Sequence, residues 1–511
     1  MKKKTKLFLP AMFLAVLVGV PLLLTLIGGY QNIDIAGTHQ KVPPPEFDRL
    51  YQPSELKADL DFLAKTLEEV HPDLYAYTPK SSFAREKERI EKELNSPISR
   101  MDFYLRAAPL VAMLNEGHTK IYPPYEEYYH FVGQGGLLFP FDLDLKDHKA
   151  FVAANYSVDS LITKGSELLS INGIPTGEIV DRLLLLISGE KLNFKSGYLE
   201  DFFGQMLWLV YRFEGEFEIE FISKSDGKRY VRSIAGVDYN TIQTKKEKDL
   251  KESERDYYTY HSLSDDKIGI IDFRQFVNLE EFKKFLRETF TQVQKETLTD
   301  LIIDIRENGG GYSELVDPLL SYITDKPVVG GLHFEIKVSK QIKDYYRSTL
   351  NWYVKWLPIQ YIHPTWRKMW NTPEGGVVII RHEPEKPKDN PLRFNGRVYL
   401  LIGPHTYSTA QGFAATVQDY ELGTLIGEET GGVASSFGAW YPFDLPNTRL
   451  WVFVSTKRIP RPSGICDGRG VVPDYEVKQS EKDLKEGIDT VMEFTKELIK
   501  SNRREAQIEV Q

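Results

Sequence analysis

The sequence predicts an α/β fold, and three observations carry that reading. Strand-like and helix-like periodicities alternate from Lys267 to Gly427. The apolar runs Leu301 to Ile305 and Val398 to Ile402 are short enough for buried strands and end in glycine-bearing turns. Amphipathic stripes at three- and four-residue steps mark the helices between them. Alternation of this length argues for a mostly parallel sheet with helices packed on it.

With 511 residues the chain exceeds one ordinary core, and two to four units are expected. A composition of 41% hydrophobic and 27% charged residues is that of a globular protein. The net charge of −9 argues against nucleic acid as a partner, because such binding runs on basic patches. The single cysteine, Cys466, excludes an intrachain disulfide framework, and the ten histidines show no zinc-type spacing.

Residues 1–30 read as a membrane anchor or signal. Lys2, Lys3, Lys4 and Lys6 precede an uncharged apolar run from Leu7 to Ile27, long enough to span a bilayer. The favoured reading is an uncleaved, single-pass anchor with the rest of the chain on the extracytoplasmic side; a cleaved signal with secretion is the alternative. Residues 31–52, with Pro43-Pro44-Pro45, read as a linker.

Residues 53–122 read as a helical domain. Leu56, Leu60, Leu63, Leu67 and Val70 form one apolar stripe, with Ser54 as its N-cap. A second helix covers about Phe83 to Leu94. A third runs from Ser99 past Met113 into Asn115-Glu116-Gly117-His118-Thr119, with Gly117 as C-terminal cap and His118 on the exit loop. Residues 130–236 read as short strands with one helix, Thr176 to Leu186, and a hairpin turning at Asp226-Gly227. Residues 240–262 read as a charged loop.

The α/β unit spans 263–478, and a charged helix lies within 479–511. Two long strands, Ala439 to Leu445 and Leu450 to Thr456, are expected to close its sheet. It is interrupted at 324–395 by an insertion rich in aromatics, among them Trp352, Tyr353, Trp356, Tyr361, Trp366 and Trp370. Such an insertion serves either as a lid or binding loop or as a satellite core.

Two loops carry chemistry. Leu301 to Ile305 runs through Arg306-Glu307-Asn308 into Gly309-Gly310-Gly311, and a triple glycine after a strand lets backbone N–H groups face a developing oxyanion. The second loop, Gly403 to Gly412, follows the strand ending at Ile402 and contains Ser408. A donor-rich loop beside a strand-end serine is the equipment of a serine hydrolase. The anticipated oxyanion donors are the N–H groups of Gly310 or Gly311 together with Thr409. Asp304 and Arg306 are expected to fix the glycine loop through a charge-assisted pair.

These parts resemble the peptidase family that includes the carboxyl-terminal processing peptidases and the tricorn-type proteases. The motifs are Asp304-x-Arg306-x-Asn308-x-Gly310-Gly311, Thr406-x-Ser408 with Phe413-Ala414, Ile426-Gly427-x-x-Thr430-x-Gly432, and Gly470-Val471-Val472-Pro473-Asp474. The resemblance implies a crotonase-like (ββα) catalytic domain, an N-terminal helical domain and a PDZ-like domain at 130–236. The stretch Gly165 to Gly173 is similar to the PDZ turn G-D-x-I-L-x-I-N-G, with Ser166 and Leu168 replacing aspartate and isoleucine. A small β-rich spacer is the alternative there.

The processing branch of that family places a general-base lysine where this chain has Val433, so a Ser–Lys dyad is disfavoured. The tricorn-type branch takes its base from a His-Thr turn, which Glu116-Gly117-His118-Thr119 matches. The resemblance therefore implies Ser408 as nucleophile, His118 as general base and Asp467 as supporting acid, with a turn aspartate before Gly468 as the alternative for Asp467; His405, three residues before Ser408, is the rival base. The function so implied is serine endopeptidase action on extended polypeptide substrates, with no metal or organic cofactor. A non-catalytic ligand- or peptide-binding protein on the same scaffold is the alternative; acyl-CoA chemistry is disfavoured.

Overall fold

The structure is a computed structural model that describes residues 46–509 other than 147, 250–255, 331–332, 351–357, 359–362, 481 and 484–487. The apolar run Leu7 to Ile27, most of the linker, and Trp352, Tyr353, Trp356 and Tyr361 lie outside the described residues. Among the described residues no helix is long and apolar enough to cross a membrane.

The N-terminal region comprises β1 (Leu50–Tyr51), α1 (Pro53–Val70), α2 (Lys80–Glu93), β2 (Ile98–Ser99), α3 (Arg100–Ala112), β3 (Lys120–Ile121) and α4 (Tyr125–Gly133). The N-cap of α1 is Gln52, not Ser54. Pro53 takes the first helical position, where its missing N–H costs nothing, and the Glu55 carboxylate accepts the Gln52 N–H at 2.8 Å. On α3, Ser99 caps by accepting the Asp102 N–H at 3.1 Å. That helix stops at Ala112, and Asn115 (φ 53°) supplies the left-handed residue of the exit instead of Gly117.

The β-rich region has β4 (Phe141–Lys146), β5 (Lys149–Asn155), β6 (Glu167–Ile171), β7 (Ile174–Pro175), α5 (Thr176–Leu184), α6 (Leu192–Tyr211), β8 (Glu216–Ile222) and β9 (Arg229–Ala235). Its sheet order is β4-β5-β6-β8-β9, antiparallel throughout, with β7 paired to β6. The sequence suggested one helix here, but α6 is a second and longer one. Its C-terminal half is apolar on nearly all sides because Phe203, Met206, Leu207, Trp208 and Leu209 are all buried, so no 3.6-residue stripe shows. The segment expected as a loop at 240–262 forms α7 (Tyr239–Asp249) and β10 (Tyr258–Leu263).

The α/β unit continues with β11 (Ile268–Phe273), α8 (Leu279–Lys295), β12 (Asp300–Asp304), α9 (Val316–Ile323), β13 (His333–Lys337), α10 (Lys340–Ser348), α11 (Pro364–Asn371), β14 (Val377–Arg381), β15 (Arg397–Ile402), α12 (Thr409–Asp419), β16 (Thr424–Gly427), β17 (Ser436–Asp444), β18 (Trp451–Ile459), β19 (Tyr475–Glu476) and α13 (Thr490–Glu509). The main sheet runs β10-β11-β12-β15-β16-β19, parallel apart from β10. Alternate side chains serve two cores. Ile271, Leu301, Ile303, Leu400 and Ile402 join one with Phe282, Leu319 and Phe413 of the covering helices. Ile270, Ile302, Tyr399 and Leu401 join the other with Val491 and Ile499 of α13. A parallel sheet covered on both faces has this pattern.

The strands β17 and β18 do not close the main sheet. They form a second sheet, β14-β13-β18-β17, whose other strands come from the insertion. Within the described part of the insertion Trp366, Met369, Ile336 and Ile342 are buried, so part of it packs as core. This second sheet also takes up the N-terminal region, because β3 pairs with β18 through Val452↔Ile121 and Phe453↔Lys120.

The buried carboxylate of Asp59 on α1 fastens the β17–β18 turn to the helices. It accepts the N–H groups of Asn447 (2.9 Å) and Thr448 (2.8 Å) and the Thr448 hydroxyl (2.6 Å). Arg100 adds a bond to the Thr448 carbonyl at 2.9 Å and an ion pair with Glu127 at 2.7 Å. Asp59→Ala strands several buried donors, so unfolding stability should fall by roughly 3 kcal/mol, read from the urea midpoint.

Candidate active site

The turn bearing Ser408 is built by cross-bracing of strand ends. Asn308, fully buried, donates to the Phe273 carbonyl (2.8 Å), and its Oδ1 accepts the Gly310 N–H (2.9 Å). Its own carbonyl accepts the Tyr407 N–H (3.0 Å), while Thr406 Oγ1 donates to the Ile305 carbonyl (2.8 Å). The ends of β11, β12 and β15 are thereby locked together. Arg306 secures the loop from below, bonding Asp304 (2.6 Å) and Asp489 at the start of α13 (2.6 Å).

Ser408 sits immediately before α12 with φ 52° and ψ −120°, a conformation that L-residues rarely adopt. A Cβ on Gly310 would lie 2.8 Å from the Ser408 Cβ and 2.9 Å from the Thr409 nitrogen, and Gly310 has φ 100°. Only glycine fits there. Gly310→Ala should therefore cost roughly 1–3 kcal/mol of stability, measurable as a lowered urea midpoint, and should displace Ser408.

From the opposite side β3 and β18 deliver His118. Its Nε2 lies 3.0 Å from Ser408 Oγ. The preceding turn is clasped to β18: Glu116 accepts the Ser455 hydroxyl (2.9 Å) and the His118 N–H (2.7 Å), and Thr119 Oγ1 accepts the Ser455 N–H (3.1 Å). Beneath the imidazole, His118 Nδ1 faces Glu116 Oε1 at 3.4 Å and the Tyr407 hydroxyl at 3.3 Å. Gly117 has no Cβ because one would stand 2.2 Å from the Tyr407 hydroxyl. A second histidine, His71, accepts the Asp73 N–H on Nδ1 (3.1 Å), which leaves its ring proton on Nε2, 3.5 Å from Glu116 Oε2. That spacing is an electrostatic contact rather than a hydrogen bond.

The loop between α5 and α6 completes the site. Glu190 accepts the Tyr407 hydroxyl at 3.3 Å, and Phe194 stacks on the Tyr407 ring at 4.0 Å. Lys191 pairs with Glu429, which also accepts the Gly470 N–H at 2.7 Å. The two acids near His118 are driven apart. Burial opposes ionisation of Glu116, but its close polar contacts with the His118 and His71 rings outweigh it and hold that carboxyl well below its ordinary range. Burial, then the negative Glu116, pushes Glu190 up to about 7, with His118 opposing. Burial first, then Glu190 and Glu116, raises the Tyr407 phenol well above its usual value, so it keeps its proton. Glu116, His118 and Glu190 also bring one ligand atom each within 4.8 Å of one another, the only grouping of potential ligands with that spacing among the described residues.

Of the residues singled out from sequence, Ser408 and His118 come together, with Gly310, Gly311 and Thr409 around them. The Gly310 N–H is committed to Asn308, which leaves those of Gly311 and Thr409 from the anticipated set. The Thr409 hydroxyl donates to the Gly311 carbonyl at 2.6 Å. Asp467 does not reach the imidazole. It is exposed, and its carboxylate accepts the Arg469 N–H at 2.9 Å in a local turn, the usual use of an aspartate before glycine. Glu116 occupies the place next to His118 instead. The ring of His405 points at α6, where a Cβ on Gly197 would lie 2.6 Å from it. Val433 is buried. Sequence reasoning gave no role to Glu116, Tyr407, Glu190 or His71. The spacing Glu116-x-His118 was the one available signal.

Comparison with known proteins fits this arrangement. Residues 267–477 match the model of peptidase family S41. This segment is a peptidase family S41 domain. The S41 domain holds Ser408, Gly310, Gly311, Thr409 and Asp467, whereas His118, Glu116 and Glu190 lie outside it. Over 204 residues the chain is 27% identical to the tail-specific protease of Haemophilus influenzae, a match covering 39% of this chain and 22% of that protein. The chain thus spans about a fifth of the length of that curated relative. Among solved structures, mature CPAF complexed with lactacystin superposes with a TM-score of 0.63 at 14% identity, covering 88% of this chain and 98% of the other. Mature CPAF alone gives 0.59 at 15% identity, covering 85% and 94%. These likenesses extend the shared fold well beyond the S41 domain.

Proposed function

We propose that the protein is a serine endopeptidase that hydrolyses peptide bonds in extended polypeptide segments. The observation that carries this reading is the 3.0 Å approach of His118 Nε2 to Ser408 Oγ across two distant parts of the chain. A serine hydroxyl needs a base to become nucleophilic, and imidazole is suited to that task. Ser408 attacks the scissile carbonyl while His118 takes its proton and later delivers it to the leaving amine. Glu116 faces Nδ1 and stabilises the imidazolium. The N–H groups of Thr409 and Gly311 serve as oxyanion donors. Family S41 membership of residues 267–477 and the CPAF-like fold support the same reading.

In this proposal residues 263–478 form a crotonase-like catalytic domain. Residues 130–236 form a PDZ-like domain, supported by the six-stranded antiparallel sheet with helices against it. The N-terminal apolar run anchors the catalytic domains outside the cytoplasm.

The test is incubation of the purified protein with an unfolded, carboxymethylated polypeptide, followed by mass spectrometry of new termini. Internal cleavages are expected. Intact substrate combined with saturable binding of apolar ligands or peptides would instead establish a binding protein on this scaffold.

A further inference from the structure

We infer that Glu190 is a positioning residue which, through the Tyr407 hydroxyl, holds His118 in the tautomer able to accept the Ser408 proton. The inference rests on the Ser408–His118 reading above. It begins from the three groups in line: His118 Nδ1, Tyr407 Oη at 3.3 Å from it, and Glu190 Oε2 a further 3.3 Å on. A phenol has one proton to donate. If Tyr407 gives it to Glu190, its oxygen can only accept from His118, so the imidazole proton sits on Nδ1. Nε2 is then bare and faces Ser408 Oγ. If Tyr407 instead gives its proton to Nδ1, the ring proton moves to Nε2, and His118 donates to Ser408 and cannot act as base.

Glu116 alone fixes this choice weakly. Its Oε1 is 3.4 Å from Nδ1 and already accepts the His118 backbone N–H at 2.7 Å. Tyr407 is the nearer neighbour of Nδ1, and its buried hydroxyl has Glu190 as acceptor. The geometry holding Glu190 there is specific. Lys191 is tied to Glu429 of the S41 domain and to the Thr430 carbonyl (3.4 Å), and Phe194 stacks on Tyr407. The second oxygen of Glu190 is buried without a hydrogen-bond partner, so burial of this carboxyl is not repaid by its own bonds alone. Glu190 arrives from the connection between α5 and α6, so docking of the β-rich region and competence of the base become one event.

The experiment uses the full chain labelled with 15N-histidine, its His118 resonances assigned by comparison with His118→Gln. Two-bond 15N–1H spectra report the tautomer without any substrate. Wild type should show the proton on Nδ1, and Glu190→Leu should shift His118 toward the Nε2–H form. In hydrolysis assays Glu190→Leu should lower kcat by about 10- to 100-fold with KM unchanged, as expected when the wrong tautomer is populated. Glu190→Gln, which keeps a carbonyl acceptor, should recover most of the loss. In the Tyr407→Phe background, Glu190→Leu should change kcat by less than about twofold, because the path is already cut. An unchanged His118 tautomer in Glu190→Leu, or losses that multiply in the double variant, would overturn the inference. If wild type cleaves no polypeptide, the peptidase reading fails while the spectra still decide the role of Glu190.

Discussion

Ser408→Ala should abolish hydrolysis, with kcat falling on the order of 10⁴- to 10⁶-fold, while the urea midpoint stays close to wild type. The activity loss follows from removal of the attacking oxygen, which backbone donors and binding cannot replace. Stability should hold because the surroundings of Ser408 do not depend on its hydroxyl. The φ of 52° is imposed by Asn308, Thr406 and the start of α12, and alanine tolerates it no worse than serine. The one bond given up is that to His118. A large stability loss would mean that the hydroxyl is structural.

The second large effect concerns Glu116, where activity and folding should fail together. Glu116→Leu removes the acceptor of the His118 N–H and of the Ser455 hydroxyl, and leaves His71 Nε2 facing an apolar group. Removing one partner of a buried charged network costs roughly 3–5 kcal/mol, large against the usual stability of a domain. Glu116→Gln keeps one acceptor oxygen and should fold with a smaller loss, yet still lower kcat because the imidazolium loses its counter-charge. The pH dependence follows from the direction of the shift. The Glu116 carboxyl ionises at lower pH folded than unfolded, so its contribution is full above the unfolded value of 4.5 and is lost as pH falls through the folded one. Wild type should thus lose more stability than Glu116→Gln on acidification below that point. Parallel curves in urea titrations would contradict it.

Much of the site was legible because its chemistry is local. A serine after a buried strand, a triple glycine at the next strand end and a histidine on a helix exit are each visible within about ten residues. Tertiary partners were not. Glu190 is a lone acid between Gly189 and Lys191, and only docking of its loop against Tyr407 gives it meaning. Asp467 seemed the supporting acid by position, yet its carboxylate closes its own turn while Glu116, two residues from His118, faces the ring. The parallel sheet was readable from alternation. The second sheet was not, because β13 joins β18 across more than a hundred residues, and periodicity carries no information on such pairing. Helix α6 was hidden because burial on nearly all sides erases the amphipathic stripe.

The central claim is that His118 removes the Ser408 proton. Covalent labelling by a fluorophosphonate tests it most directly, because the reagent reports an activated serine without a natural substrate. A single adduct on Ser408 is expected in wild type, located by mass spectrometry, with labelling lost in a folded His118→Ala protein. Labelling of His118→Ala at the wild-type rate, or an adduct on another residue alone, would contradict the account.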